Sequence, residues 1–410
     1  MSTLTTIGPS TQTSALHRAG LATVSGPAFQ GYSTHQHIPA LDGVRGFAIL
    51  LVLITHGVDA CLKPSTPFEQ SLYNVARWGW VGVDLFFVLS GFLITGILLS
   101  ARKRPHYLRN FLARRALRIF PLYYATLLVC LVLLPLIPLA RFDWLRDLMG
   151  RQGWFWLHAS NYYKVCLNDP PIHWLSTLWS LAVEEHFYLV WPFVVWKLPA
   201  RRLLPLCLIG AVAVLGLRCG LTFAGFPGDY LYRSTLTRID PLLLGSALAI
   251  LNRSPGGIRR FLPVARLVVV GCCVLLLIQM VSRHGSHGRD TTWYGMTAQY
   301  SVVGVLFVTL LAMAVSFSPE SMGRRLCTSS PLLVFGKYSY ALYIFNKPSF
   351  LLVKSVFDPG EWTIGGSQLP AVAAFVLAGT LVALTMAKVT WHLVEKPCLG
   401  LKRYFEAEKR

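Results

Sequence analysis

Apolar residues in this chain fall in runs of about 17–25, the length a helix needs to cross the hydrocarbon core of a bilayer. The candidate runs are 40–60, 80–100, 119–140, 178–197, 203–222, 237–252, 264–282, 297–317, 332–356 and 369–393. They predict an all-α polytopic transmembrane helical bundle of about ten spans. Composition agrees: 54% of the residues are hydrophobic and 14% charged, against about 25% charged in a soluble domain. The formal charge of +20 would suggest a nucleic-acid partner in a soluble protein. In a membrane protein it reads as basic residues gathered in cytoplasmic loops, with the bilayer and no nucleic acid as partner.

Loop charge sets the orientation. With the N-terminus inside, the cytoplasmic loops are 101–118, 197–202, 253–266, 318–330 and the tail from 394. They hold Arg102, Lys103, Arg104 and Arg109, then Lys197, Arg201 and Arg202, then Arg259, Arg260, Arg324 and Arg325. An even number of spans with both termini cytoplasmic satisfies this bias. Segment 141–177, with Arg141, Asp143, Arg146, Asp147 and Arg151 before Trp154-Phe155-Trp156, is expected to be an extramembrane loop with an interfacial helix. A span over 145–163 is the alternative, and it would invert every later loop. Residues 1–37 read as a disordered cytoplasmic tail without a signal-peptide core, 38–397 as the membrane domain and 398–410 as a basic cytoplasmic tail. The nine cysteines have no metal-ligand spacing, and no metal is expected. Cys61 and Cys166 both fall outside the spans, which leaves one disulfide open.

A charge inside a span costs a few kcal/mol on insertion scales, so each one is a functional candidate. The first span carries Arg45 and His56, eleven residues apart, on nearly one helix face and separated by about 16 Å along the axis. A snorkelling Arg and a core His are the structural alternative. The second span carries Asp84, the fourth the adjacent Glu184 and Glu185, and the sixth opens with Arg238-Ile239-Asp240-Pro241, a candidate buried pair. By depth, His56, Glu184 or Glu185, and Asp240 fall in the outer half of the membrane and suggest one site. Arg114, Arg115 and Arg118 precede the third span, the last two sharing a helix face at i, i+3 spacing. They are either a positive-inside anchor or a phosphate clamp, since guanidinium forks match phosphate oxygens.

These segments resemble the acyltransferase-3 family of membrane O-acyltransferases. The resemblance rests on Leu41-Asp42-Gly43-Val44-Arg45-Gly46 with His56, on Gly82-Val83-Asp84-Leu85-Phe86-Phe87-Val88-Leu89-Ser90-Gly91-Phe92, and on Arg115 with Arg118. Leu178-Trp179-Ser180-Leu181-Ala182-Val183-Glu184-Glu185, Tyr338-Ser339-Tyr340-Ala341-Leu342-Tyr343 and Glu395-Lys396-Pro397 complete it in the family's order. It implies transfer of an acyl group, usually acetyl from acetyl-CoA, onto a hydroxyl of a surface polysaccharide, glycolipid or glycosylated metabolite, by a multi-pass protein of the plasma (inner) membrane. It also implies that Arg45, His56, Arg115 and Arg118 are essential. Two positions depart from the pattern: Phe345-Asn346-Lys347 stands where a Trp-His pair is common, and His186 where a Gln is common. The chain reads as the stand-alone form, without an appended hydrolase-like domain.

Joined to the residue pattern, the resemblance suggests that acyl-CoA docks its phosphates on Arg115 and Arg118, with Arg114 or Arg45 assisting. The rise from Arg45 to His56 then matches an extended pantetheine arm. His56 is the expected general base on the acceptor hydroxyl, oriented by Glu184 or Glu185 first and Asp240 second; an acyl-histidine intermediate is an open variant. The competing class is a proton-coupled secondary transporter, because intramembrane His, Asp and Glu also build proton relays. A carrier favours two related halves, and neither the 41–46 nor the 82–92 pattern recurs in the second half of the chain.

Overall fold

The computed structural model describes residues 38–136, 150–167, 174–254, 256–282, 292–363 and 366–405. The expected tail 1–37, the charges Arg141, Asp143, Arg146 and Asp147, and the last five residues lie outside them. The described residues form helices and turns and contain no strand. The principal helices are α1 (Pro39–Cys61), α2 (Gly82–Ala101), α3 (Tyr107–Leu128), α4 (Leu178–Lys197), α5 (Ala200–Phe223), α6 (Asp240–Leu251) and α7 (Leu262–Ser282). α8 (Ala298–Val315), α9 (Ser330–Lys337), α10 (Ser339–Lys354) and α11 (Leu369–Thr390) follow. Their lipid-length apolar stretches make this a multi-pass membrane protein.

Among the described residues, seven helices are long and apolar enough to cross a membrane, fewer than the ten or so expected. Three expected spans account for the difference. α4 has 20 residues but carries Glu184 and Glu185. α6 has only 12 residues, a rise of about 18 Å. The run 332–356 is divided at Tyr338, whose backbone (φ −95°, ψ 7°) leaves the helical region between α9 and α10. Hydropathy counts apolar residues and does not register such a break.

Segment 150–167 is the described part of the expected loop with an interfacial helix. It holds two short helices, Gly153–Trp156 and Ser160–Leu167, separated at His158, which adopts a left-handed φ of 53°. That break rules out one continuous span there. The segment packs against the bundle. Phe155, His158, Ser160 and Asn161 are buried, and the Tyr123 and Tyr124 hydroxyls of α3 donate to the carbonyls of Phe155 (2.8 Å) and Trp156 (3.2 Å). Cys61 is a free thiol that donates to the Gly57 carbonyl at 3.2 Å; the Cys166 side chain lies outside what the structure describes.

Glycines set the closest helix contacts. A Cβ on Gly46 would lie 2.0 Å from the Leu332 carbonyl oxygen, and one on Gly336 would lie 1.9 Å from that of Asp42. α1 and α9 therefore meet backbone to backbone, as small residues allow in membranes. Gly91 against Leu242 and Gly245 against Val88, both at 2.0 Å, join α2 to α6 in the same way. The first of these contacts flanks Arg45 and fixes the rotation of α1 that aims it inward.

Candidate active site

α1, α2, α3, α4 and α10 enclose a cavity of about 90 Å³, room for roughly three waters. Arg45 enters it from α1, Phe86 and Phe87 from α2, Arg118 from α3, Ser180 and Glu184 from α4, and Tyr340 and Tyr343 from α10. Its wall thus combines two guanidiniums and a carboxylate with aromatic faces. Of the expected site residues, Arg45, Arg118 and Glu184 are brought together here.

Several polar groups in the wall are held. Arg45 Nη1 donates to Asp42 one turn earlier at 3.0 Å, which leaves other guanidinium donors for a ligand. The Ser90 hydroxyl donates to Glu184 at 2.5 Å and accepts from the Tyr188 hydroxyl at 3.0 Å. This chain ties α2 to α4 and fixes the carboxylate opposite the arginines. Tyr343 donates to the Thr177 carbonyl (3.2 Å) and lies 2.6 Å from the Ser180 hydroxyl. Tyr340 donates to the Ile119 carbonyl at 2.6 Å, which pins α10 to α3 one residue after Arg118.

Arg115 stands beside the cavity, its guanidinium 5.8 Å from the Phe111 ring and 5.6 Å from the Tyr188 ring. Arg45, Arg115 and Arg118 act electrostatically on one another. Like charges gathered in a low-dielectric bundle repel strongly. Glu184 opposes both Arg45 and Arg115, and Glu185 opposes Arg115. Neighbouring helical residues diverge by about 100°, and Glu185 is not in the cavity wall. It acts instead on Tyr123 and Tyr124. Arg114 is exposed at the surface of α3.

His56 and Asp240 are elsewhere. His56 is half-buried on α1 and does not line the cavity, so Glu184 belongs with the arginines and not in a separate layer around His56. Asp240 accepts both arms of the Arg218 fork, at 2.9 and 2.8 Å. Arg218 also donates to the carbonyls of Thr297 (3.0 Å) and Thr237 (2.5 Å) and to the Ser301 hydroxyl (2.5 Å), which uses all of its N–H donors. Ser301 in turn donates to Asp240 at 2.9 Å. The expected Arg238–Asp240 pair is thus replaced by two others, because Arg238 donates to Asp84 at 2.8 Å. Arg238 is also enclosed by the rings of Tyr300 (4.4 Å), Tyr232 (5.0 Å) and Phe87 (6.0 Å). Phe87 is shared with the cavity wall, so this second pair buttresses the site.

The sequence reading missed Arg218, Ser90, Tyr188 and Tyr340. Arg218 stood in plain view as a charge inside an apolar run. Ser90 and Tyr340 stand inside motifs that carry the resemblance but were not singled out as site residues, and Tyr188 carried no signal of its own, since single hydroxyls in a span are common.

Comparison with known proteins adds to the geometry. A family model described as an acyltransferase domain matches residues 38–388. The chain is 29% identical over 386 residues to the O-acetyltransferase OatA of Staphylococcus aureus, covering 88% of this chain and 57% of that protein. It is 26% identical over 399 residues to the peptidoglycan O-acetyltransferase OatA of Listeria monocytogenes, covering 92% of this chain and 58% of that protein. It thus spans little more than half the length of these curated relatives. No solved structure matches it.

Proposed function

The chain belongs to this acyltransferase family, and from that premise we propose that it is an O-acetyltransferase of the plasma membrane that moves an acetyl group from acyl-CoA to a carbohydrate hydroxyl. The acceptor we propose is a surface polysaccharide of the peptidoglycan class, on the names of the relatives. The observation that carries the reading is the meeting of Arg45, Arg118 and Glu184 in one cavity within an apolar bundle. Buried cations cost free energy unless an anion offsets them, and a phosphate-bearing donor does so by charge-assisted, forked hydrogen bonds. The transporter reading has no matching support from the comparisons.

In this reading Arg45, Arg115 and Arg118 hold the donor's phosphates, and Glu184 balances the empty arginines. The pantetheine arm then follows the face of α1 for about 16 Å to His56. His56 takes the proton of the acceptor hydroxyl as its oxygen attacks the thioester carbonyl. The new C–O bond forms, the C–S bond breaks, and the CoA thiolate leaves and takes the proton from the imidazolium. Asp240, neutralised by Arg218, has no part in these steps.

The test supplies acetyl-CoA labelled in its acetyl group to membranes holding the full chain and follows label into the glycan fraction. His56→Ala is expected to abolish transfer while the protein still inserts at the native level. Transfer at the native rate by that variant would remove His56 from the chemistry.

A further inference from the structure

The end of the chain brings a fourth cation to the arginines. α11 runs without a cap into a π-turn at Trp391–Glu395, then a short helix at Lys396–Gly400 and a 3-10 turn at Leu401–Phe405. The extra residue in a π-turn rotates the following chain by roughly 100° relative to a continuing α-helix. The segments beyond it pack along α3, and Lys402 arrives half-buried within range of Arg118, Arg115 and Arg114. All the charges acting on it are positive. Glu395, the carboxylate of the same segment, acts on Arg118, and Lys402 has no carboxylate partner among the described residues.

Half-burying an ammonium beside like charges destabilises the fold unless an anion is there to offset it. The cations also run from the surface to the cavity wall. Arg114 is exposed, Arg115 and Lys402 are half-buried, and Arg118 stands with Arg45 in the cavity wall. A polyanion entering beside Arg114 meets positive charge continuously to the cavity, which raises its local concentration along the way.

We propose that Lys402 binds the phosphates of the donor together with Arg115 and Arg118, so that the segment Lys396–Phe405 forms one wall of the donor's entry track. The inference rests on the acyl-CoA reading above and extends it to a part of the chain that lies beyond the matched residues 38–388. Lysine supplies a compact point charge here, while the guanidiniums supply forks. The headgroup phosphate of an anionic lipid offers the same chemistry, so the test separates the two sources.

The full chain is placed in nanodiscs of neutral lipid and CoA binding is measured by calorimetry for the native protein, Lys402→Glu, Lys402→Arg and Arg115→Ala, each with its thermal melt. Lys402→Glu is expected to weaken CoA binding by about tenfold or more, as loss of a charge-assisted contact does, and Lys402→Arg to stay within about threefold at an unchanged melt. If Lys402→Glu binds CoA as the native protein does while Arg115→Ala does not, the C-terminal wall is refuted and the donor reading stands. If the native protein binds no CoA, both fall. Replacing the neutral lipid with phosphatidylglycerol is expected to leave CoA affinity within about threefold. Complete displacement of CoA by that lipid would make the site a headgroup site and overturn the proposal.

Discussion

Arg218 shows how much a single residue settles. It lies fully buried in α5, and its five donors meet five acceptors. Removing one partner of a buried ion pair leaves an uncompensated charge, at a cost of about 3–5 kcal/mol, whereas replacing both partners by apolar groups is close to neutral. Arg218→Met alone should therefore lower the thermal melt in detergent sharply. The pair Arg218→Met with Asp240→Leu should recover most of the loss and keep acetyl transfer. A well-folded double variant without transfer would return Asp240 to the chemistry. That Arg45, Arg118 and Glu184 are each site candidates was legible because a charge in an apolar run has to find a partner, but the sequence grouped Glu184 with His56 and not with the arginines it meets; the same rule applied to Leu217-Arg218-Cys219 exposes Arg218. The pairing itself was not legible. Arg238 and Asp240 are adjacent enough in sequence to suggest each other, but residues two apart on a helix do not face one another, and Asp84 lies 154 residues away from Arg238.

At the scale of elements, the site depends on how closely α1 and α9 pack. A methyl group at Gly46 or Gly336 would fall inside the contact distance of a backbone oxygen on the facing helix, which cannot rotate away as a side chain would. Overpacking of this kind costs about 1–3 kcal/mol, occasionally more, and the strain is relieved only by separating the helices. Arg45 precedes Gly46, so the same separation withdraws a guanidinium from the cavity. Gly46→Ala and Gly336→Ala are expected to lower both the melting temperature and the rate of transfer. Gly96→Ala, where a Cβ would meet nothing within 4 Å, should raise stability by about 0.5–1 kcal/mol as a helical Gly-to-Ala change does. Equal behaviour of the three variants would show that the α1–α9 contact does not govern the site. Helices were readable in the sequence from their apolar length, but the breaks at Tyr338 and His158 were not. Each is a matter of backbone angles at one ordinary residue, with no Gly or Pro at the break to announce it.

The whole molecule poses a question of parity. The Lys63 amide donates to the Gln368 side chain at 3.3 Å, so α11 starts beside the end of α1 and runs back to bring Lys402 beside Arg114 and Arg115. The start of α3 and the end of the chain therefore lie at one end of the bundle, and an even number of crossings separates them. The helices that qualify by length and apolarity supply five between those points: Tyr107–Leu136, Ala200–Phe223, Ile258–Val281, Ala298–Val315 and Leu369–Phe405. Five is odd, so even parity requires that at least one of α4, α6 and the α9–α10 pair cross as well. Counting all three gives eight, restores the even parity and leaves the basic loops 197–202, 253–266 and 318–330 on the side of Arg114. A topology reporter fused after Arg202, Arg260, Arg325 or Arg403 is then expected to read cytoplasmic, and one fused after Thr66, Phe226, Thr292 or Trp362 to read the opposite side. If only α4 crosses, the Arg202 fusion keeps its reading, but the fusions after Arg260, Thr292 and Arg325 all reverse theirs, because α6 no longer reverses the chain. That outcome would place six crossings after Tyr107 and make α6 a half-span, held at its buried end by the Arg218–Asp240 pair and not by the bilayer.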